Sequence, residues 1–244
     1  MYKEKFVTAI VAAAGMGKRM KMGINKQFLT IDGIPILAHT IKKIEKSKYL
    51  DFLILIVKES DMKYVDDIIE KYKINMDYKI VYGGKERQDS INNGLLNMPY
   101  ETDIVLTHDG ARPFVSVDKI DEAIENVMDT GACVLANPVK DTIKVSTDGE
   151  TVDYTPNRDR LWQVQTPQVF KKDIIMKAYN QAYSEGYYGT DDCSLVEKTG
   201  VKVKLIYNSY DNIKITTRED LSIAQILVKK VKIWELELVM MFIN

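Results

Sequence analysis

The chain has 244 residues, 45% hydrophobic and 28% charged, the composition of an ordinary globular protein long enough to bury a core without staples. Its formal net charge of -1 argues against a general nucleic-acid or membrane-surface binder, so cations must be placed locally to matter. Two cysteines, Cys133 and Cys193, make neither a disulfide framework nor a metal-ligand spacing, and no apolar run is long enough to span a bilayer; the expected location is cytoplasmic.

Residues 6–12 form an apolar run read as a buried parallel strand. Ala13, Ala14, Gly15, Gly17 and Arg19 follow, then Lys26-Gln27-Phe28. Residues with little or no side chain let backbone N–H groups lie directly against a flat base or a phosphate, and Arg19 and Lys26 add charge beside them. The stretch is not a P-loop, because Gly17-Lys18 is followed by Arg19. It is not a dinucleotide fingerprint either, because Met20 stands where a third small residue is needed.

Residues 29–31 read as a short strand ending at Asp32-Gly33, and Pro35 suits the first turn of a helix to about Ser47. Residues 52–57 are a second buried strand, and Val65, Ile68, Ile69 and Tyr72 recur at helical spacing. A strand over 79–82 breaks at Gly83-Gly84 before a helix over about 87–98. The next strand, 104–108, ends in Asp109-Gly110-Ala111-Arg112-Pro113, and Ser116 can cap the helix carrying Ile120, Ile124, Val127 and Met128. Residues 133–136 are another strand. The alternation predicts an α/β fold with a mostly parallel, Rossmann-like twisted sheet flanked by helices.

The pattern then changes. Residues 142–145 and 151–154 alternate around Asp148-Gly149, which predicts a β-hairpin with too little apolar surface to stand alone, and so an arm that packs elsewhere. Residues 161–170 return to the body, helices are expected near 173–184 and 191–198, strands over 202–207 and 213–216, and a last helix over 218–230. The tail from Trp234 fits no amphipathic pattern.

In open α/β sheets ligands bind beyond the carboxyl ends of the strands. Four polar groups fall there: Gly15, Gly17, Arg19 and Lys26; Gly83, Gly84 and Ser90; Asp109 and Arg112; Asp211 and Lys214. Each alone reads as a turn, a cap or a surface ion pair. Together they make a cleft with several cations and one or two carboxylates, which suits Mg²⁺ with a polyphosphate. No nucleophile-plus-base pair accompanies them. His39 and His108 read as structural, and an acceptor phosphate, already ionised, needs no base.

With Gly83 to Ser90, His108 to Phe114, Pro138 to Lys144, Thr166-Pro167-Gln168, Thr190-Asp191-Asp192-Cys193-Ser194 and Asp211 to Lys214, the nucleotide-loop stretch resembles the sugar-nucleotidyltransferase superfamily. More closely it resembles the 2-C-methyl-D-erythritol 4-phosphate cytidylyltransferase family, over about residues 6–227. The resemblance implies a single nucleotidyltransferase domain over 1–244, with a dimerisation arm at about 139–160 and a tail at about 231–244 left without a role. It implies CMP transfer from CTP to the 4-phosphate of methylerythritol, a polyol phosphate, releasing pyrophosphate, with Mg²⁺ on Asp109 and no nucleic acid or membrane partner. Arg19 and Lys26 would stabilise phosphate charge in the transition state. Ala13, Ala14, Gly15, Gly17, Gly84, Lys85, Ser90 and Asp109 would form the nucleotide site. Arg112 and Thr166 would help form the acceptor or nucleotide site, Asp211 would bind the substrate, and Lys214 would position the acceptor phosphate. Arg158 and Thr142 would reach that acceptor from the partner subunit of a homodimer. Ribitol 5-phosphate cytidylyltransferases share the pattern but usually carry paired glycines in the nucleotide loop. A silent nucleotide-binding module would not need the cations.

Overall fold

The computed structural model describes residues 1–15 and 25–241, with side chains through Lys230. In chain order the elements are β1 (Phe6–Ala12), β2 (Thr30–Ile31), β3 (Ile34–Pro35), α1 (Ile36–Glu45), β4 (Phe52–Val57), α2 (Met62–Lys71), β5 (Tyr78–Tyr82), α3 (Arg87–Leu96), β6 (Thr102–Asp109), α4 (Val117–Thr130), β7 (Ala132–Pro138), β8 (Trp162–Lys171), α5 (Lys172–Ser184), α6 (Asp192–Lys198), β9 (Lys204–Tyr207) and α7 (Arg218–Met241). Seven strands form one sheet in the order β5-β4-β1-β6-β8-β7-β9. Pairing is parallel throughout except that β8 runs against both β6 and β7.

The central strands are apolar on both sides because both faces of the sheet are covered. On one face Val7, Ala9 and Val11 of β1 pack with Leu37 and Ile41 of α1, Val65 of α2 and Ile124 of α4. On the other, Ile10 and Val105 pack with Ile91 of α3, Tyr179 of α5 and Val196 of α6. Alternate residues of one strand thus serve two cores. Both cysteines are buried and unpaired in this interior. A third, small cluster of Ile31, Ile36, Ile215, Ala224 and Val228 fastens α7 to the β2–β3 ribbon. Among the described residues no helix is long and apolar enough to cross a membrane.

Several local readings are refined. The 29–31 strand is the first half of a two-stranded ribbon, turned by Asp32 (φ 53°) and Gly33 (φ 75°), both left-handed as a tight hairpin requires. Ser116 caps α4, accepting from Lys119 N at 3.3 Å, and Gly131 at φ 77° ends it. The 213–216 segment joins no sheet; it is held by single bonds such as Ile215 N to Ala111 O at 2.9 Å. The expected hairpin contracts to one antiparallel bridge, Val145 with Tyr154, around an Asp148 side chain that accepts from Glu150 N and Thr151 N. Ile143, Val152 and Tyr154 on it are exposed at 40%, 58% and 59%, the arm's apolar atoms being uncovered by its own chain. Finally, α7 runs through the tail to Met241, where Leu, Glu, Lys and Met favour helix and neither Gly nor Pro interrupts it.

Close packing of α3 against β1 and β4 depends on Gly94. A Cβ there would sit 2.8 Å from Ile10 Cγ2 and 3.1 Å from Ile56 Cδ1. Gly94→Val should therefore lower stability by about 1–3 kcal/mol through overpacking, read as a reduced urea midpoint at unchanged m-value. An unshifted midpoint would show that α3 can move away from the sheet at no cost.

Candidate active site

The chain runs from β1 outward to β4 and β5, then returns to the other side of β1 as β6. That reversal opens a crevice between the loops leaving β1 and β6, the position at which open α/β sheets bind ligands. Ala12 and Asp109 are register partners at its floor. Backbone bonds staple the surrounding loops there: Ala13 N to Ile56 O at 2.8 Å, Gly83 N to Val57 O at 2.9 Å and Gly110 N to Ala12 O at 3.0 Å. A side chain at Gly83 would collide with the Ala14 methyl, and one at Gly84 with Asp89, so both glycines are required by close approach. Ser90 ties the same loop down, accepting from Gly84 N at 3.0 Å and donating to Glu86 O at 3.0 Å.

Two cavities adjoin at this place. One, of ≈ 360 Å³, is lined by Ala12, Ala14, Gly15, Lys26, Gln27, Gly84, Lys85, Ser90 and others. The second, of ≈ 280 Å³, is lined by Arg112, Val164, Gln165, Thr166, Gln168, Thr190 and Asp191. Arg87, Asp109 and Lys214 line both and form the wall between them. A larger groove of ≈ 620 Å³ beside Phe28, Tyr64 and Tyr72 sets one lysine, Lys71, against Asp67 and Glu70, the wrong balance for an anionic ligand.

Asp109 is the hub. Its Oδ2 lies 2.9 Å from Lys214 Nζ and 3.4 Å from Arg112 Nε, and its Oδ1 lies 3.5 Å from Arg87 Nε. Burial would raise its pKa, but attraction to Arg87, Lys214 and Arg112 outweighs burial and holds the carboxyl well below the usual carboxylate range. The 212–215 segment gathers the cations. Ile215 O accepts from Lys26 Nζ at 2.9 Å, Asn212 O accepts from Arg112 NH1 at 2.8 Å, and Lys214 is part of the segment itself. Asn212 anchors it by donating to Gln165 Oε1 and Thr166 O, each at 3.0 Å.

His108 and Thr166 support Asp109 from behind. The ladder between β6 and β8 stops at Thr107–Gln168, and two residues further along each strand Thr166 Oγ1 accepts the Asp109 N–H at 3.0 Å. His108 Nε2 faces the carbonyl of Arg112 at 3.1 Å and must donate, so Nδ1 is the acceptor for the Thr166 hydroxyl at 3.0 Å. This arrangement is complete only for neutral histidine. Burial is the main reason that its pKa is pushed down to about 4. With its lone pair committed to Thr166, His108 is a structural residue, and the hydroxyl of Thr166 keeps one lone pair for a ligand.

The expected site residues fall into three sets. Ala14, Gly15, Lys26, Gly84, Lys85, Ser90, Asp109, Arg112, Thr166 and Lys214 line the paired cavities, with Ala13 buried directly beneath. Thr142 and Arg158 are exposed on the arm and line neither cavity; Arg158 NH1 donates to Lys140 O at 2.9 Å. Asp211 also stays outside, paired with Lys230 at 3.3 Å at the surface. Gly17 and Arg19 lie outside the described residues. Four contributors have no role assigned in the sequence reading, Arg87, Asp192, Gln165 and Asn212, although all but Gln165 lie within the motifs that carry the resemblance. Their partners lie 105 and 47 positions away for the Arg87–Asp192 and Gln165–Asn212 pairs, so no local spacing announces them.

The chain is similar to known proteins in both sequence and fold. The sequence model of the 2-C-methyl-D-erythritol 4-phosphate cytidylyltransferase family matches residues 7–230. The chain belongs to that family. A cytidylyltransferase of the family from Clostridioides difficile is 48% identical over 219 residues, covering 89% of this chain and 92% of the relative. One from Alkaliphilus oremlandii is 46% identical over 223 residues, covering 91% and 94%. A crystal structure of 4-diphosphocytidyl-2C-methyl-D-erythritol synthase from Anaerococcus prevotii superposes with a TM-score of 0.83 at 36% identity, over 93% of this chain and 97% of that one. In this cytidylyltransferase-family chain the neutral His108 has a measurable consequence. Its folded pKa lies below the unfolded value of about 6.5, so the stability it contributes is fully present above pH 6.5 and is lost as the pH falls toward about 4. Urea unfolding should show a loss on the order of 3 kcal/mol across that window, flattened in His108→Gln. An equal slope in the variant would place the titration elsewhere.

Proposed function

We propose that the chain transfers CMP from CTP to 2-C-methyl-D-erythritol 4-phosphate, releasing pyrophosphate, as the cytoplasmic cytidylyltransferase that its family membership points to. The observation that carries the reading is the wall of Arg87, Asp109 and Lys214 shared by two cavities. The first cavity, with backbone at Ala14, Gly15 and Gly84 and the side chains of Lys85 and Ser90, suits a base, a ribose and the phosphates behind them. The second, with Arg112 and Thr166, suits a hydroxylated acceptor carrying one phosphate. An oxygen of the acceptor phosphate attacks the α-phosphorus of CTP, a new O–P bond forms, and the bond to the β-phosphate oxygen breaks with its electrons leaving on pyrophosphate. No proton has to be removed, in keeping with a site whose histidine is committed to structure. Negative charge grows on the phosphoryl oxygens, and Lys26 and Arg19 are the cations assigned to it.

Asp109 fits a Mg²⁺ ligand. Among the described residues its Oδ1 has only the 3.5 Å contact to Arg87, which would leave lone pairs for a hard cation. Such an ion supplies charge neutralisation along the triphosphate. Lys214 and Arg112 orient the acceptor phosphate. Thr142 and Arg158, exposed on the arm, serve the site of a second subunit: the arm's uncovered apolar atoms become buried when two arms exchange around a two-fold axis. The domain is then one nucleotidyltransferase unit with a dimerising arm.

Pyrophosphate release from CTP should depend on methylerythritol phosphate, and preference for ribitol 5-phosphate, or tight CTP binding without turnover, would overturn the assignment. Lys26→Ala should lower kcat by about 100–1000-fold. Mixed with Arg158→Ala subunits and allowed to exchange, it should regain activity, because a mixed dimer then has one site free of both defects. Failure to regain activity, or a monomer by sedimentation at working concentration, would contradict a role in trans.

A further inference from the structure

Arg87 is the first residue of α3, and its guanidinium fork is taken by a carboxylate of α6. NH1 and NH2 pair with Oδ1 and Oδ2 of Asp192 at 2.8 and 3.0 Å. Asp192 is 1% exposed and lines neither cavity, and it also accepts from Thr107 Oγ1 and Tyr179 OH, each at 2.7 Å. Strand β6 and helices α3, α5 and α6 therefore converge on one buried carboxylate. The remaining edge of the same guanidinium, at Nε, faces Asp109 Oδ1 at 3.5 Å.

This division of one cation between two carboxylates has a geometric consequence. A free guanidinium beside Asp109 would pair with it fork to fork and occupy both oxygens. Asp192 takes the fork instead, so Asp109 feels the positive charge and yet, among the described residues, keeps Oδ1 without a close hydrogen bond. A lysine could supply the charge but could not span the two carboxylates.

We infer that Arg87, clamped by Asp192, is a positioning residue that fixes the Asp109 carboxylate at the wall between the cavities and reserves its Oδ1 for the reaction. The inference rests on the transfer reading above, in which Asp109 serves the phosphates. The same clamp ties α3, which follows the nucleotide loop, to the first turn of α6, whose cap Asp191 lines the acceptor cavity.

The test is a pair of double-mutant cycles. Arg87→Lys should lower kcat by about 10–100-fold. The KM for CTP, and the Kd for CTP measured by calorimetry in EDTA, should change by less than about threefold, because the loss falls on the transition state. In an Asp109→Asn background, followed by single-turnover with excess enzyme, Arg87→Lys should cause no further loss, since the group it acts through is altered. Asp192→Asn, which keeps the shape and removes the charge, should behave likewise and carries the test should Arg87→Lys fail to fold. Equal losses in both backgrounds, a loss confined to KM for CTP, or no loss at all would each overturn the role. Wild-type transfer to methylerythritol phosphate in the same assay separates the two ideas. An inactive wild type would sink the transfer reading, whereas an active wild type with additive variants would sink only the role of Arg87.

Discussion

A carboxylate at the end of a central strand, buried and still ionised, constrains everything around it. An unpaired charge in that position would cost several kcal/mol, so the fold must bring counter-charges to Asp109 from outside its own strand. It brings them from three places: Arg112 from the loop just after β6, Arg87 from the start of α3, and Lys214 from the segment before α7. The scaffolding behind those cations follows from the same need. Asn212 and Gln165 fix the segment that carries Lys214, Asp192 fixes Arg87, and the Thr166 hydroxyl with neutral His108 fixes the Asp109 backbone.

What stabilises Asp109 also prepares the crevice for anions. Cations held by a buried carboxylate stand ready before a ligand arrives, so an anionic ligand there would need little reorganisation. The topology adds the second requirement. Because the sheet reverses direction at β1 and β6, loops of small residues from β1 and β5 meet at the same edge, and Gly83 and Gly84 let them approach closely enough for backbone donors to line a flat surface. A base can lie on one side of Asp109 and an acceptor on the other, with the reacting phosphorus between.

Much of this was readable in the amino-acid order, and the exceptions share a cause. Runs such as Phe52–Val57 announce strands because both faces of the sheet are covered, and the glycine-rich ends of β1 and β5 announce the crevice. Residues 213–216 look like a strand because they alternate, but their partners are isolated carbonyls and amides rather than a neighbouring strand, which alternation cannot reveal. The arm looks like a regular hairpin because Asp148-Gly149 is a strong turn; side-chain bonds to Asp148 take the place of most of the ladder. Arg87 and Asp192 look ordinary in sequence, one opening a helix and one following a cap. Their meaning is a long-range pairing, visible only once α3 and α6 lie on the same face of the sheet.

The central claim is that the reacting phosphates meet at the wall formed by Asp109, Lys214 and Arg87. A crystal structure of this protein with a non-hydrolysable CTP analogue, Mg²⁺ and methylerythritol phosphate tests it most directly. The expected result is cytosine against Ala14, Gly84 and Ser90, the acceptor phosphate by Lys214 and Arg112, and the α-phosphorus between the two cavities. A triphosphate bound instead in the groove beside Phe28 and Tyr64, or an acceptor seated away from Lys214, would contradict it.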